Sequence, residues 1–332
     1  MTTFVSRFDF RAPGADRAAR QELYSRALEQ AAYLDEHGHD AILVSEHHAS
    51  DDGYLPSPLV VGAAVAARTS RVPITVSALL VNFYEPVKLA EDVAVLDLLS
   101  AGRVSYTIGL GYRPEEYALF GQSWETRGAD IERRIELLLA LWRGETVELD
   151  GRQVSATPLP FSDPHPFLFY GGGSQAAARR AARLGLNFQP NVADRALRDL
   201  YLEECRRHGR EPGFVLLPPP GPATVFCAED PDRFWASYGK HLLADAMAYR
   251  AWSSAGATNS LITDDSTTVE ELRAGERYVV LDPDELVRQC RAKELRAVSS
   301  HPMCGGLPPE PSWESLRLIC ERVAPALKRP GP

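Results

Sequence analysis

Strand-length apolar runs alternate along this chain with longer segments in which apolar residues recur at helical spacing. The runs are rich in Val, Ile and Leu, which is typical of parallel strands buried on both faces. The strands predicted in this way are Val5–Phe10, Ala41–Ser45, Val72–Leu80, Val104–Leu110, Phe167–Tyr170, Leu186–Gln189, Ala223–Ala228 and Ala297–His301. The predicted helices are Asp16–His37, Pro58–Ala67, Pro86–Leu99, Ile131–Trp142, Ser174–Leu184, Ala193–His208, Pro283–Leu295 and Ser312–Leu327.

The order of these elements gives about eight strand–helix units, and parallel strands need such crossover helices. The α/β arrangement that fits best is a (β/α)8 TIM barrel, formed as a single domain by residues 1–332. The alternative, an open doubly wound sheet, would place a glycine fingerprint directly after the first strand. No such fingerprint follows Val5–Phe10, so the pattern favours the barrel.

Two intervals interrupt the alternation. Residues 144–166, after the fourth helix, contain two short runs on either side of Asp150-Gly151, which predicts a β-hairpin inserted into the barrel. Residues 233–276, after the seventh strand, are partly helical near His241–Trp252 and polar afterwards, which predicts a lid-like excursion over the barrel mouth. Its aromatic residues could wall an apolar pocket or belong to helices that pack on the barrel. They are Phe234, Trp235, Tyr238, Tyr249 and Trp252.

Composition and charge exclude several classes of protein. The formal charge of −9 argues against a broad nucleic-acid-binding surface, because such a surface needs clustered Lys and Arg. The N-terminus lacks the apolar segment of a signal peptide, and no run reaches the roughly 20 apolar residues that span a bilayer. We therefore expect a cytoplasmic protein. The five cysteines are odd in number and scattered, so we expect inert buried thiols rather than a disulfide framework.

Three ionisable residues, Glu46, His47 and His48, follow the predicted strand Ala41–Ser45. In a (β/α)8 barrel the carboxyl ends of the strands carry the active site, and a cluster of titratable groups there indicates catalysis. A metal site is the competing interpretation. Adjacent histidines at a strand end point apart, and no third ligand has suitable spacing, so we expect no metal.

A second candidate site is Gly171-Gly172-Gly173-Ser174, between a predicted strand and a predicted helix. Small residues let a ligand approach the backbone, and the free N–H groups of a helix start bind anions. Ser174 adds a hydroxyl and an N-cap. The stretch indicates a phosphate site, although a plain loop with a good N-cap would have the same sequence.

Two further strand ends leave room for a flat ligand. Gly109-Leu110-Gly111 follows the fourth predicted strand, where glycines permit close backbone contact, although a tight turn alone would also explain them. Near the end of the third strand, Ser77 and Ala78 are small, and Asn82 could hydrogen-bond the polar edge of a ring. Together, the strand ends predict space for a flat, phosphorylated cofactor.

Several motifs, taken as a set and in this order, resemble the bacterial luciferase-like flavin-dependent monooxygenases. The likeness runs to about residue 190 and thins afterwards. The matching motifs are Ser45-Glu46-His47-His48, Ala67-Arg68-Thr69-Ser70-Arg71, Pro86–Leu98, Ser100-Ala101-Gly102-Arg103, Gly109-Leu110-Gly111-Tyr112 with Glu116, Phe120-Gly121 and Gly171–Gly185.

The resemblance implies a role for each residue at a matching position. The family's catalytic histidine falls on His48, near the reactive edge of the flavin, where it would stabilise oxygen on the ring or move a proton. Glu46 is expected to orient His48, and His47 to point elsewhere. A non-proline cis peptide beneath the ring falls on Ser77–Ala78. The other implied contacts are Gly172, Gly173, Ser174 and Arg127 for the phosphate, and Gly109, Leu110 and Gly111 for the other side of the ring.

Two departures from the family pattern change what is expected. Luciferases proper have a reactive cysteine and a phosphate-contacting arginine on the rim of the fourth strand, where this chain has Gly109 and Leu110. Light emission is therefore not expected. The common Gly-Asp-Gly-Trp after the fifth helix is replaced by Gly185-Leu186-Asn187-Phe188, so local contacts and substrate shape are expected to differ.

The resemblance leads to the hypothesis of a bacterial oxidoreductase. It would be a monooxygenase that receives reduced FMN from a flavin reductase and uses O2 to oxygenate a small organic substrate. An F420-dependent oxidoreductase with the same barrel is the alternative among enzymes. A flavin-binding protein without turnover is the alternative outside them. The resemblance also implies a homodimer, whereas no partner is expected in nucleic acid or membrane.

Overall fold

The structure, a computed structural model, describes residues 2–253 and 262–328. In this part of the chain, two compact units can be distinguished. Unit 1 comprises the described residues within 1–43, 47–56 and 219–332, and unit 2 comprises residues 44–46 and 57–218.

Each strand predicted from the apolar pattern is present, with ends within two residues of the predicted ones. The strands are β1 (Thr3–Phe8), β2 (Ala41–Val44), β3 (Ile74–Leu79), β4 (Val104–Ile108), β5 (Val147–Leu149), β6 (Arg152–Val154), β7 (Phe167–Gly171), β8 (Asn187–Gln189), β9 (Thr224–Cys227), β10 (Tyr278–Leu281) and β11 (Ala297–Ser300). The α-helices are α1 (Arg17–Glu36), α2 (Pro58–Arg68), α3 (Pro86–Ser100), α4 (Pro114–Leu119), α5 (Arg127–Trp142), α6 (Gln175–Leu184), α7 (Arg195–Arg207), α8 (Pro231–Ser253), α9 (Val269–Ala274), α10 (Pro283–Arg291), α11 (Pro309–Arg317) and α12 (Ala324–Lys328).

Unit 2 is built on parallel strands in the order β3-β4-β7-β8. In this sheet Thr107 of β4 lies opposite Ser77 of β3 on one side and Phe169 of β7 on the other. Parallel strands end at a common edge, so the residues that follow β3, β4 and β7 are neighbours there. This edge brings together the three strand ends that the sequence analysis selects.

Unit 1 contains β11, β1 and the first three residues of β2, adjacent in that order, and the separate parallel pair β9–β10. Helix α8 packs on β9 and β10, where Trp235 and Leu242 share an apolar cluster with Phe226 and Val280. Burial of such side chains is the main stabilising contribution to a sheet covered by helices. The end of β1 and the end of β11 therefore lie side by side in unit 1.

The lid-like excursion predicted for residues 233–276 is not confirmed in its first half. Helix α8 begins at Pro231, and Phe234 and Trp235 lie in the core of unit 1. The alternative prediction, helices packed on the sheet, is correct for this part, because apolar side chains recur on one face of α8. The next part of the predicted lid, residues 254–261, lies outside the described residues.

The predicted hairpin is present: β5 and β6 pair antiparallel around Asp150-Gly151. Both turn residues have positive φ, 48° and 74°, as a two-residue type I′ turn requires. That the hairpin is an insertion into a barrel stays a prediction. No helix in the described ranges has the length and apolar character needed to cross a membrane.

All five cysteines are free and buried, as predicted. Burial raises the pKa of Cys227 and of Cys320 to about 12. Because the thiolate is the reactive form of cysteine, these two side chains are inert near neutral pH.

Candidate active site

Glu46 follows β2 and belongs to unit 2, where it is 2% exposed. Its Oε2 accepts a hydrogen bond from the Leu80 N–H at 2.8 Å, and its Oε1 accepts one from the Tyr84 hydroxyl at 2.8 Å. Burial and the adjacent Glu46 carboxylate raise the pKa of Tyr84 well above its usual value, so the hydroxyl keeps its proton. Glu46 therefore fixes the segment after β3, whereas its expected role in orienting His48 stays a prediction.

The peptide bond between Ser77 and Ala78 is cis, as the family resemblance implies. Gly109, directly after β4, lies against this part of β3. A Cβ atom at position 109 would be 2.5 Å from the Ala78 Cβ and 3.3 Å from the Leu80 Cδ2. Since non-bonded carbons prefer about 3.5–4.0 Å, this position requires glycine. The two strand ends therefore pack closely at this point, and the contact of Gly109 with a flat ring stays a prediction.

A hydrogen-bond network joins the ends of β3 and β4 to the start of α5. Asn82 is 2% exposed, and its Nδ2 donates to the Tyr117 hydroxyl and to the Arg127 carbonyl oxygen, at 3.0 Å each. The Tyr117 hydroxyl donates to the Leu110 carbonyl oxygen. Asn82 therefore links three segments predicted to bind the cofactor. Its Oδ1 has no hydrogen-bond partner among the described residues, and its bond to a ring edge stays a prediction.

Arg127 lies in the first turn of α5, which begins four residues before the predicted start at Ile131. Its guanidinium stacks on Trp124, 3.6 Å from the ring centroid, and its Nη1 donates to the Trp124 carbonyl oxygen at 2.5 Å. Its Nε has no hydrogen-bond partner in the described part of the chain. A guanidinium stays charged in proteins and has five N–H donors, so Arg127 can offer donors to an anion.

The glycine-rich stretch forms the turn from β7 into α6. Gly172 has φ of 139°, a conformation that favours glycine. A Cβ atom on Gly173 would be 2.4 Å from the Asn191 Oδ1, so the Asn191 side chain lies directly on the turn. Ser174 is the N-cap of α6, and its Oγ accepts a hydrogen bond from the Ala177 N–H at 3.2 Å.

The backbone N–H groups of this turn differ in their hydrogen bonding. The Gly172 N–H donates to the Gln189 carbonyl oxygen at 3.3 Å and so holds the turn to β8. The first N–H groups of a helix have no acceptor within it, and together with the helix dipole they attract anions. Ser174, the N-cap, is therefore the residue of this turn whose backbone N–H belongs to the helix start, and Gly172 supplies the conformation. The phosphate contacts of Gly172, Gly173 and Ser174 stay predictions.

His47 and His48 belong to unit 1, and both are buried. The His47 N–H donates to the Leu55 carbonyl oxygen at 3.1 Å. The His47 ring packs edge-on against Tyr54, with centroids 4.8 Å apart, and its centroid lies 4.5 Å from that of Trp252. His47 is thus part of an aromatic cluster, and the catalytic role of His48 stays a prediction.

A buried polar cluster at the ends of β1 and β11 was not predicted. His301 is 1% exposed; its Nε2 lies 3.1 Å from the Asp9 Oδ1, and its Nδ1 lies 2.7 Å from the Arg7 Nη2. Arginine only donates, so Nδ1 accepts and the ring proton lies on Nε2. Asp245 and Cys304 bring further potential metal-ligand atoms within 4.8 Å of His301. Because the Nδ1 atom is bonded to Arg7 and the Arg7 guanidinium adds positive charge, this cluster is poorly suited to a cation.

Two tyrosines of the site were missed by the sequence analysis. The hydroxyls of Tyr84 and Tyr117 bind Glu46 and Leu110, which the sequence does select. Tyr117 lies on the buried face of the short helix α4, whose first residue is proline. A proline at the first helical position is a start signal, and a helix predicted from it would have turned Tyr117 inward.

The sequence profile of the luciferase-like monooxygenases matches residues 4–295. The chain is 32% identical over 184 residues to the F420-dependent glucose-6-phosphate dehydrogenase of Nocardia farcinica, covering 52% of this chain and 55% of that relative. It is 26% identical over 182 residues to the oxygenase component of the flavin-dependent trigonelline monooxygenase of Acinetobacter baylyi, and this match covers 53% of this chain and 50% of that relative. The chain thus matches about half the length of these relatives.

A solved structure similar to this one is that of the monooxygenase RslO1 from Streptomyces bottropensis. The TM-score is 0.74 and the identity 26%, with 97% of this chain and 99% of that chain covered. The likeness supports an α/β fold with a parallel, curled sheet. The family profile covers most of the chain, and the family consists of oxidoreductases. The chain therefore belongs to the luciferase-like monooxygenase family.

Proposed function

We propose that the protein is a flavin-dependent monooxygenase that uses reduced FMN and O2 to oxygenate a small organic substrate. A flavin reductase would supply the reduced cofactor. The observation that carries the proposal is that Gly109, which has no room for a side chain, and Ser174, the N-cap of α6, follow the paired strands β4 and β7 in unit 2. The (β/α)8 barrel and the homodimer predicted from the sequence belong to the same proposal.

The residues of unit 2 fit a flavin mononucleotide. A phosphate group carries negative charge and accepts hydrogen bonds, which matches the N–H groups at the start of α6 and the donors of Arg127. A planar ring needs close approach to the backbone, and Ala78 and Gly109 are the small residues at these two strand ends. Strand β4 pairs with β7, so the two features are neighbours.

When bound, the flavin supplies the redox and oxygen chemistry, and the protein supplies binding and orientation. Glu46 holds the Leu80 N–H and thereby the segment that follows the ring surface. Ser174 caps the helix that faces the phosphate. On the resemblance alone, His48 is the proposed group that gives or takes a proton at the reacting atoms.

An F420-dependent oxidoreductase is the second candidate, and one specific observation favours it. The relative from Nocardia farcinica is named an F420-dependent dehydrogenase, and it is 32% identical to this chain over the matched half. F420 also carries phosphate, so the turn at Gly173-Ser174 suits both cofactors. In that case the chemistry is hydride transfer rather than oxygen insertion.

The two candidates are separated by anaerobic titration of the protein with reduced FMN and, in parallel, with reduced F420, followed by fluorescence. We expect saturable binding of reduced FMN and oxygen consumption when air is admitted with substrate. Tight binding of F420 without affinity for FMN would overturn the first candidate in favour of the second. Binding of FMN without any turnover, in wild type and in His48→Ala alike, would favour a non-catalytic flavin-binding protein.

A further inference from the structure

We propose that Tyr117 is a positioning residue of the cofactor site. Its hydroxyl sets the direction of the Leu110 peptide, which lies in the segment predicted to line the flavin ring. This inference rests on the proposed function, because it concerns the same site.

The hydroxyl of Tyr117 is held on both sides. It donates to the Leu110 carbonyl oxygen and accepts from the Asn82 Nδ2 at 3.0 Å, and the residue is 1% exposed. Burial raises the pKa of Tyr117, while the bond from Asn82 opposes this shift. The hydroxyl therefore keeps its proton at neutral pH and remains the donor to Leu110.

The ring of Tyr117 is held as firmly as its hydroxyl. It packs edge-on against Phe83, with centroids 4.9 Å apart, and against Trp124, with centroids 5.2 Å apart. Trp124 in turn carries the guanidinium of Arg127. One side chain thus contacts the turn after β3, the segment after β4 and the segment that leads into α5.

The segment after β4 begins with residues that leave its backbone direction open. Leu110 stands between Gly109 and Gly111, and Gly111 has φ of 77°. Glycine has access to more backbone conformations than any other residue, so a glycine-flanked peptide needs an external contact to fix it. The Gly109 N–H is held by the Leu79 carbonyl oxygen at 3.0 Å, and the Leu110 carbonyl is held by Tyr117.

The test compares Tyr117→Phe with Tyr106→Phe, a matched control from the same unit. Tyr106 lies on β4 and is fully buried, and its hydroxyl has no hydrogen-bond partner among the described residues. Both variants and the wild type are titrated with FMN and with F420, and the visible spectrum of the bound cofactor is recorded at saturation. We expect Tyr117→Phe to raise the Kd about tenfold, which corresponds to about 1.4 kcal/mol, and to shift the spectrum. Tyr106→Phe should match the wild type in both.

An unchanged Kd and an unchanged spectrum in Tyr117→Phe would overturn the positioning role, even if the variant unfolds at a lower temperature. If Tyr117→Phe does not fold, a crystal structure of the wild type with FMN decides: a Leu110 peptide in contact with the ring, with its carbonyl oxygen still bonded to the Tyr117 hydroxyl, supports the role. A ring bound away from Leu110 overturns it. Wild-type protein that binds neither cofactor overturns the proposed function itself, and the positioning role with it.

Discussion

Replacement of Glu46 by alanine is expected to release the segment that follows β3. The carboxylate is buried, and its oxygens accept hydrogen bonds of 2.8 Å from the Leu80 N–H and from the Tyr84 hydroxyl. Alanine has no acceptor, so both donors would lose this partner in a buried place. Glutamine is the informative comparison, because its amide oxygen can still accept from Leu80 and its amide nitrogen can donate to the Tyr84 oxygen.

The size of the effect follows from these two bonds. A hydrogen bond to a charged group contributes about 1.5–3 kcal/mol. Loss of both bonds in Glu46→Ala is therefore expected to lower the free energy of unfolding by about 3–6 kcal/mol. Glu46→Gln keeps two hydrogen bonds but not the charge, and we expect a loss of about 1 kcal/mol.

Urea unfolding followed by circular dichroism measures these losses, and titration with FMN measures the effect on the site. Glu148→Ala is the matched control, because Glu148 is exposed in the hairpin of the same unit. An exposed substitution of this kind changes stability by no more than about 0.5 kcal/mol. FMN affinity should fall in Glu46→Ala, be nearly kept in Glu46→Gln, and be unchanged in Glu148→Ala.

Two results would refute this reasoning. One is a loss of stability below about 1 kcal/mol in Glu46→Ala, since a buried residue with two charged hydrogen bonds should contribute more. The other is equal damage in Glu46→Ala and Glu46→Gln, which would assign the effect to the charge and not to the hydrogen bonds.

The remaining predictions concern the ring surface, the phosphate turn, the histidine and pH. Gly109→Ala should cost about 1–3 kcal/mol of stability by overpacking and weaken FMN binding, whereas Gly62→Ala inside α2, where the new Cβ meets only the Leu96 Cδ2 at 3.3 Å, should leave FMN binding unchanged; equal effects on FMN binding would contradict this. Ser174→Asp keeps an N-cap but repels phosphate, so FMN affinity should fall at least about tenfold, and Ser174→Asn, a neutral cap, should bind normally; FMN bound equally by both would place the phosphate elsewhere. His48→Ala should leave the Kd for FMN nearly unchanged and lower turnover by about 10²–10⁴; unchanged turnover would remove His48 from its role. Burial lowers the pKa of His39 to about 4, so the unfolded chain binds this proton first as the pH falls. The free energy of unfolding should therefore drop by up to about 3 kcal/mol between pH 6.5 and 4. Urea unfolding at several pH values tests this: if the free energy of unfolding of His39→Gln falls with pH as steeply as that of the wild type, His39 is excluded as the cause.

The parallel strands could be predicted because their composition reflects burial on both faces. Strand β3 has Ile74, Val76 and Leu79 at its buried positions, and β4 begins and ends with the buried apolar residues Val104 and Ile108. Strand β10 was missed although its sequence Tyr278-Val279-Val280-Leu281 is apolar, because it is short and follows a long polar stretch. The start of α8 was missed since its first turns contain Asp232 and Arg233, which do not reveal the buried face.

The candidate site could be predicted at positions where the local backbone structure depends on the type of a single residue. Gly109 and Ser174 are such residues, because a close backbone approach and an N-cap depend on residue type. Tyr84 and Tyr117 were not predictable, since their roles arise from hydroxyls that reach across to other segments. The buried cluster around His301 was missed for the same reason. Arg7 is 294 residues away from His301 in sequence, and Arg7 and Asp9 approach His301 through the pairing of β1 with β11.

The most direct test of the proposed cofactor site is a crystal structure of the protein with FMN bound. We predict that phosphate oxygens lie within hydrogen-bond distance, about 2.7–3.2 Å, of the N–H groups of Gly173 and Ser174, and that the ring lies against Ala78 and Gly109. An FMN molecule bound away from this edge of the unit 2 sheet, with its phosphate held by other residues, would contradict the proposal.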